Sequence, residues 1–125
     1  MENYNKWAAK ALTGDGRPKN VNEAIDLYKE AAALGSARAM VTLADIYESG
    51  RDVPRDMIQA LSWYQRAAQL GSLLACLALG RLYETGDHVA QDPSEALSWY
   101  RKAARSTKEP VARQAREAIE RLTPK

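Results

Sequence analysis

The sequence predicts an all-α fold assembled from antiparallel helix hairpins, and three observations carry that prediction. The chain repeats itself at a fixed spacing, apolar side chains inside each repeat recur at the helical period, and three helix-start signals fall in register. The spacing is 36 residues: Ala24, Ala60 and Ala96 occupy one place, Tyr28, Tyr64 and Tyr100 another, and Ala31, Ala67 and Ala103 a third. "LSWYQRAAQLG" at 61–71 therefore returns as "LSWYRKAAR" at 97–105, and "AIDLYKEAAALG" from Ala24 is a more diverged copy. No insertion or deletion is needed to align them.

Each repeat unit, about 1–36, 37–72 and 73–108 within a single domain of 1–125, reads as two helices. In the first unit "WAAKALTGDGRPKN" from Trp7 is a weak first helix and loop that keeps Gly14 and Pro18. Asn20, three residues before Glu23, then has the spacing of a capping box, in which the cap side chain accepts from an N3 amide and the N3 side chain reaches back. In the second unit Ala39, Met40, Leu43, Ala44 and Tyr47 line one helix face, and Gly50 supplies the positive φ that ends it. Asp56 with Gln59 opens the next helix, whose apolar stripe is Ala60, Leu61, Tyr64, Ala67 and Ala68. In the third unit "LGRLYETGDHVAQD" matches "LADIYESGRDVPRD" of the second, and Asp92 with Glu95 starts the second helix with Pro93 at its first position. Gly35 and Gly71 close the second helices of the first two units.

The last stretch, about 109–122, keeps the apolar places of a first helix in Val111, Ala115, Ala118, Ile119 and Leu122. Arg116 stands where Ala44 and Gly80 stand, and a small residue there is what lets another helix come close. With Arg113–Glu117, Arg116–Glu120 and Glu117–Arg121 expected as i,i+4 pairs of about 0.2–0.5 kcal/mol each, this helix reads as a polar cap with no further repeat after it.

A 36-residue unit reading Leu-x-x-x-Tyr-x-x-Gly, then Val, then Asp, then Ala-Leu-Ser-Trp-Tyr-x-x-Ala-Ala resembles the Sel-1-like repeat family, relatives of the tetratricopeptide repeats. The resemblance covers essentially the whole chain and is best over 39–104. The first unit departs most, with Trp7 for the Leu, Ala11 for the Tyr and Leu27 for the Trp. The resemblance implies a right-handed superhelical solenoid of helix hairpins with first helices on the concave side, whose work is protein binding and complex assembly.

Composition bounds the function classes. A chain of 125 residues with 46% hydrophobic content supports one modest domain, and no apolar run approaches the roughly 18 residues a membrane span requires. The net charge of +2 comes from interspersed cations and anions, so no phosphate-attracting stripe for nucleic acid stands out. "MENYNKWAAK" lacks the basic start and apolar core of a secretory signal, which points to the cytoplasm; a leader upstream of it would mean periplasm or secretion instead.

Catalytic readings find little to hold. Cys76, the one cysteine, excludes an internal disulfide and aligns with Met40 and Tyr4, so it is expected to fill a core place. His88, the one histidine, sits in an inter-helix loop a helix length from Cys76, so a Cys–His dyad is not expected. Trp63, Trp99 and the repeated tyrosines are expected to pack between hairpins rather than to cage a ligand. HExxH, GxxxxGK[ST], GxSxG and SxxK do not occur. Secreted, cysteine-rich relatives linked to β-lactam binding make an enzyme conceivable, but their paired cysteines are missing here. No cofactor and no metal site are expected.

What remains is recognition, expected where the repeats differ. Removing the core stripe from the first helices leaves Lys6, Ala9, Arg38, Val41, Thr42, Asp45, Leu74, Leu77, Ala78 and Arg81 as the concave lining, extended by Arg113 and Glu117. Leu74 and Leu77, placed where the preceding unit has Arg38 and Val41, are expected to form an apolar anchor beside Arg38 and Arg81. The expected partner is a protein, by a peptide segment or helix with a hydrophobic anchor and a nearby acid. Two roles fit equally: an adaptor that docks its partner in the groove, or an immunity-like protein that covers a toxin's active site.

Overall fold

The computed structural model describes residues 2–13 and 20–123, with the side chains of 2 and 3 excepted. The loop landmarks Gly14 and Pro18 therefore lie outside the described residues. Seven helices occur among them: α1 (Glu2–Thr13), α2 (Val21–Ala33), α3 (Ala37–Ser49), α4 (Met57–Gln69), α5 (Leu73–Thr85), α6 (Pro93–Ala103) and α7 (Val111–Leu122). They gather into two compact units, one of residues 1–70 with α1 to α4 and one of residues 71–125 with α5 to α7.

The second helices begin where the capping signals place them. Asn20, Asp56 and Asp92 have extended backbones, and each side chain accepts from the amide three residues on, at 3.0, 3.1 and 3.1 Å. The reciprocal half of the expected capping box is replaced by something stronger for a hairpin. The amides of Asn20, Asp56 and Asp92 donate to the carbonyls of Ala11, Tyr47 and Tyr83, at 2.8, 2.9 and 2.9 Å, so each cap residue also ties its helix to the end of the preceding one. One Asn or Asp at one place thus ends the loop, starts the helix and fixes the hairpin.

A second device tightens the same loop. Gly50 and Gly86 end α3 and α5 in the left-handed region, at φ of 65° and 74°. A Cβ on either would come within 2.9 Å of the Cβ of Arg55 or Gln91, so a side chain is excluded by space as well as by backbone. Arg55 Nε and Gln91 Nε2 donate back to the carbonyls of Glu48 and Glu84, at 3.1 and 2.8 Å. The starts of α3 and α5 carry their own caps, Ser36 and Ser72, which accept from the amides of Ala39 and Ala75.

Within the first unit α3 packs on both α2 and α4, and Met40, Leu43, Ala44 and Tyr47 are buried between them. α1 packs on α2. In the second unit α5 and α7 both pack on α6, and Ala96, Tyr100 and Ala118 form a core that Leu77, Tyr83, Ile119 and Leu122 close. Gly80 permits this packing. A Cβ there would sit 2.8 Å from the ring of Tyr100, which accounts for the small residue expected at that place.

α7 departs from expectation in its ion pairs. Arg116 Nη2 donates to Glu109 Oε1 at 3.1 Å and Arg121 reaches across to Glu84, rather than either pairing one turn away on α7. Glu109 also accepts from the amide of Arg113, standing in for the side-chain cap that Pro110 cannot supply.

Candidate functional site

The candidate site residues sort by exposure. On α5 the stripe Leu74, Leu77, Ala78 and Arg81 runs at i, i+3, i+4 and i+7, and its two ends are exposed, Leu74 to 50%. Leu77 and Ala78 are half-buried, and Leu77 packs on the core between α5, α6 and α7. On α7, which touches α5, Arg113 and Glu117 are exposed at the repeat places of Leu77 and Arg81. In the first unit Lys6, Ala9, Arg38 and Asp45 are exposed and Thr42 is half-buried. Val41 is buried, 7% exposed, so it belongs to the core of α3 and not to an open lining. Its counterpart on α1, Asn5, is also buried and donates to the hydroxyl of Ser36 at 3.1 Å.

Two polar clusters join first and second helices, and the sequence reading passed over both. In the first unit the buried Tyr64 hydroxyl lies 2.5 Å from Asp45 Oδ1 and 2.8 Å from Glu48 Oε1. Burial, then these two carboxylates, push the Tyr64 phenol far above its usual range, because a phenolate would be a third negative charge. In the second unit Tyr100 donates to Glu84 Oε1 at 2.7 Å, and Arg121 grips the same carboxylate with Nε at 3.0 Å and Nη2 at 2.7 Å. This two-pronged Arg121 contact holds the Glu84 carboxyl below the usual carboxylate range, with the Tyr100 bond adding to it. The signal was present as Glu48 and Glu84, 36 residues apart beside repeated tyrosines. Asp45 is thus bonded to the hairpin as well as exposed.

Among the described residues, Cys76 and His88 are not brought together into a catalytic pair. Cys76 is buried, and burial pushes its thiol up, away from the reactive thiolate. His88 lies in the α5–α6 loop with its Nδ1 2.7 Å from Asp87 Oδ1, on a side chain 56% exposed. Tyr64 and Tyr100 are buried as expected, but Trp63 and Trp99 are only half-buried. Arg66 stands 4.4 Å from the centre of the Trp63 ring and Lys102 4.5 Å from that of Trp99, so these rings are occupied by the chain's own cations.

This repeated constellation can be compared with known proteins. The family model for the Sel1 repeat matches three times, over residues 4–36, 37–72 and 73–107. The chain belongs to the Sel1 repeat family. Among solved structures, a Sel1 repeat protein from Oxalobacter formigenes is 38% identical, with 91% of this chain and 86% of that one covered and a TM-score of 0.78. A protective antigen of uropathogenic Escherichia coli with an SLR fold is 25% identical at a TM-score of 0.82; the match covers 97% of this chain and 26% of the antigen. The cysteine-rich protein B of Helicobacter pylori is 24% identical over 89% of this chain and 88% of that one, at a TM-score of 0.73, and shares the fold alone. No curated protein matches the sequence. Sel1 repeat proteins are generally non-catalytic scaffolds for protein interaction. Among its described residues no helix is long and apolar enough to cross a membrane.

Proposed function

We propose that this Sel1 repeat chain is a non-catalytic adaptor whose second unit binds a partner protein on the face formed by α5 and α7, with Leu74 as the anchor. The observation that carries the reading is Leu74 itself: a large apolar side chain, half exposed, where α3 places Arg38. Ile58 is more exposed, at 83%, but Ser62 follows it one turn on. Leu74 instead continues into half-buried Leu77 and Ala78 and ends at Arg81, so it heads an apolar strip with a cation at its far end. Such a strip suits a short helix or extended segment that presents one apolar side chain and a carboxylate about two turns away.

Leu74→Asp tests this. A partner recovered with the wild-type chain, remade and titrated, should lose at least about tenfold in affinity for the variant, equivalent to roughly 1.4 kcal/mol, while the helical circular dichroism stays unchanged. Unchanged affinity removes Leu74 from the site. Leu77→Asp does not serve, because Leu77 packs on the core of Tyr100 and Ala118 and a carboxylate there would weaken the fold as well as the surface.

A further inference from the structure

The second helices are the repeats' most regular part, and one of them breaks the rule that the other two keep. α4 carries Ser62, Trp63 and Arg66, and α6 carries Ser98, Trp99 and Lys102, each with its cation stacked on its own indole near the negative end of the helix. At the same three places α2 carries Asp26, Leu27 and Glu30. Asp26 and Glu30 are exposed, stand one turn apart and form no ion pair among the described residues; Lys29 beside them forms none either. Two like charges at i,i+4, with the second in a last helical turn that holds no cation, are each locally unfavourable.

Asp26 and Glu30 line an open groove of about 720 Å³ in the first unit, bounded also by Tyr4, Asn20, Asn22, Glu23 and Leu27. Tyr4 forms its aromatic wall. Tyr4 meets Trp7 edge-to-face with ring centres 5.7 Å apart, and Trp7 is 49% exposed. The equivalent residues of α3, Met40 and Leu43, are buried, because α3 has helices on two sides. The groove therefore offers aromatic and aliphatic surface next to the carboxylates of Glu23, Asp26 and Glu30, whereas the sister helices carry an indole and a cation stacked on it at the places of Leu27 and Glu30.

We propose that this groove binds a segment of a partner protein bearing a lysine or arginine next to an apolar side chain. The cation sits between Asp26 and Glu30, and the apolar side chain lies against Tyr4 and Leu27. Charge complementarity selects this occupant. A second copy meeting the same groove face to face would oppose acid to acid, which disfavours that occupant. This surface belongs to the first unit and is independent of the Leu74 strip.

The test uses the full chain and two synthetic 14-residue amphipathic helical peptides, one of leucine and lysine and one of leucine and glutamate, titrated while amide resonances are followed by NMR. The lysine peptide is expected to shift the amides of Tyr4, Trp7 and residues 23–30, and the glutamate peptide to shift none of them. Replacing Asp26→Ser and Glu30→Arg together installs the residues α4 already carries, so folding is retained, and should weaken the lysine peptide at least tenfold. Glu120→Lys, on the exposed side of α7, should leave its affinity within twofold. Affinity unchanged in the Asp26/Glu30 variant, shifts centred elsewhere, or equal binding of both peptides overturns the proposal. So does concentration-dependent dimerisation in sedimentation that the Asp26/Glu30 variant abolishes, which would assign the groove to a second copy.

Discussion

Gly80 and Tyr100 show how a single atom fixes the packing of a unit. Gly80→Ala adds helix propensity of about 1 kcal/mol, but its Cβ would meet the Tyr100 ring at 2.8 Å, a clash of the kind that costs about 1–3 kcal/mol. The expected outcome is a net loss of roughly 1 kcal/mol in urea unfolding. The Glu84 cluster makes a second prediction, with a definite sign in pH. Because the folded state holds the Glu84 carboxyl low, its contribution is present above the ordinary carboxylate pKa of about 4.3 and is lost as pH falls through the lower folded value. Arg121→Ala should therefore cost about 0.5–1 kcal/mol near neutrality, modest because the guanidinium is 58% exposed, and progressively less in acid. Thermal midpoints of the two proteins across pH check this. At this scale the sequence was only partly legible. The core places of Ala44, Gly80 and Cys76 followed from periodicity, whereas Arg121 turning to Glu84 depends on how α7 lies beside α5, which no local spacing encodes.

The elements were the most legible level, because each is specified by a signal that acts within a few residues. Asn20, Asp56 and Asp92 begin α2, α4 and α6 where capping chemistry puts them, and Gly50 ends α3 as expected. The role of the cap amide in tying the two helices of a hairpin together was not legible, since it joins residues nine apart through the loop geometry. It does make a prediction at this scale. Asp92→Ala removes the side-chain cap of α6 and should cost about 1 kcal/mol, as caps do elsewhere, while Asp92→Asn should cost only a few tenths. If both variants melt alike, the backbone bond to Tyr83 carries the junction alone. The Trp63 and Trp99 environments illustrate the opposite limit: repetition marked them as packing residues, yet both are only half-buried, and it could not show that Arg66 and Lys102 stand over their rings.

Across the whole molecule, what repeats builds the scaffold and what differs gives each unit its own surface. The all-α hairpin repeat was readable from the 36-residue period, and the family match to three units agrees with it. The candidate surface was less readable. Exposure depends on which helices flank a given place, and so Val41 is buried, Leu77 serves the core and Leu74 alone of the three is half exposed. The central claim, that recognition uses the first-helix face headed by Leu74, is tested most directly by hydrogen exchange of the chain alone and with its recovered partner. Added protection should concentrate in α5 from Leu74 to Arg81 and reach Arg113 on α7. Protection confined to the second helices α4 and α6, with α5 unchanged, would contradict it.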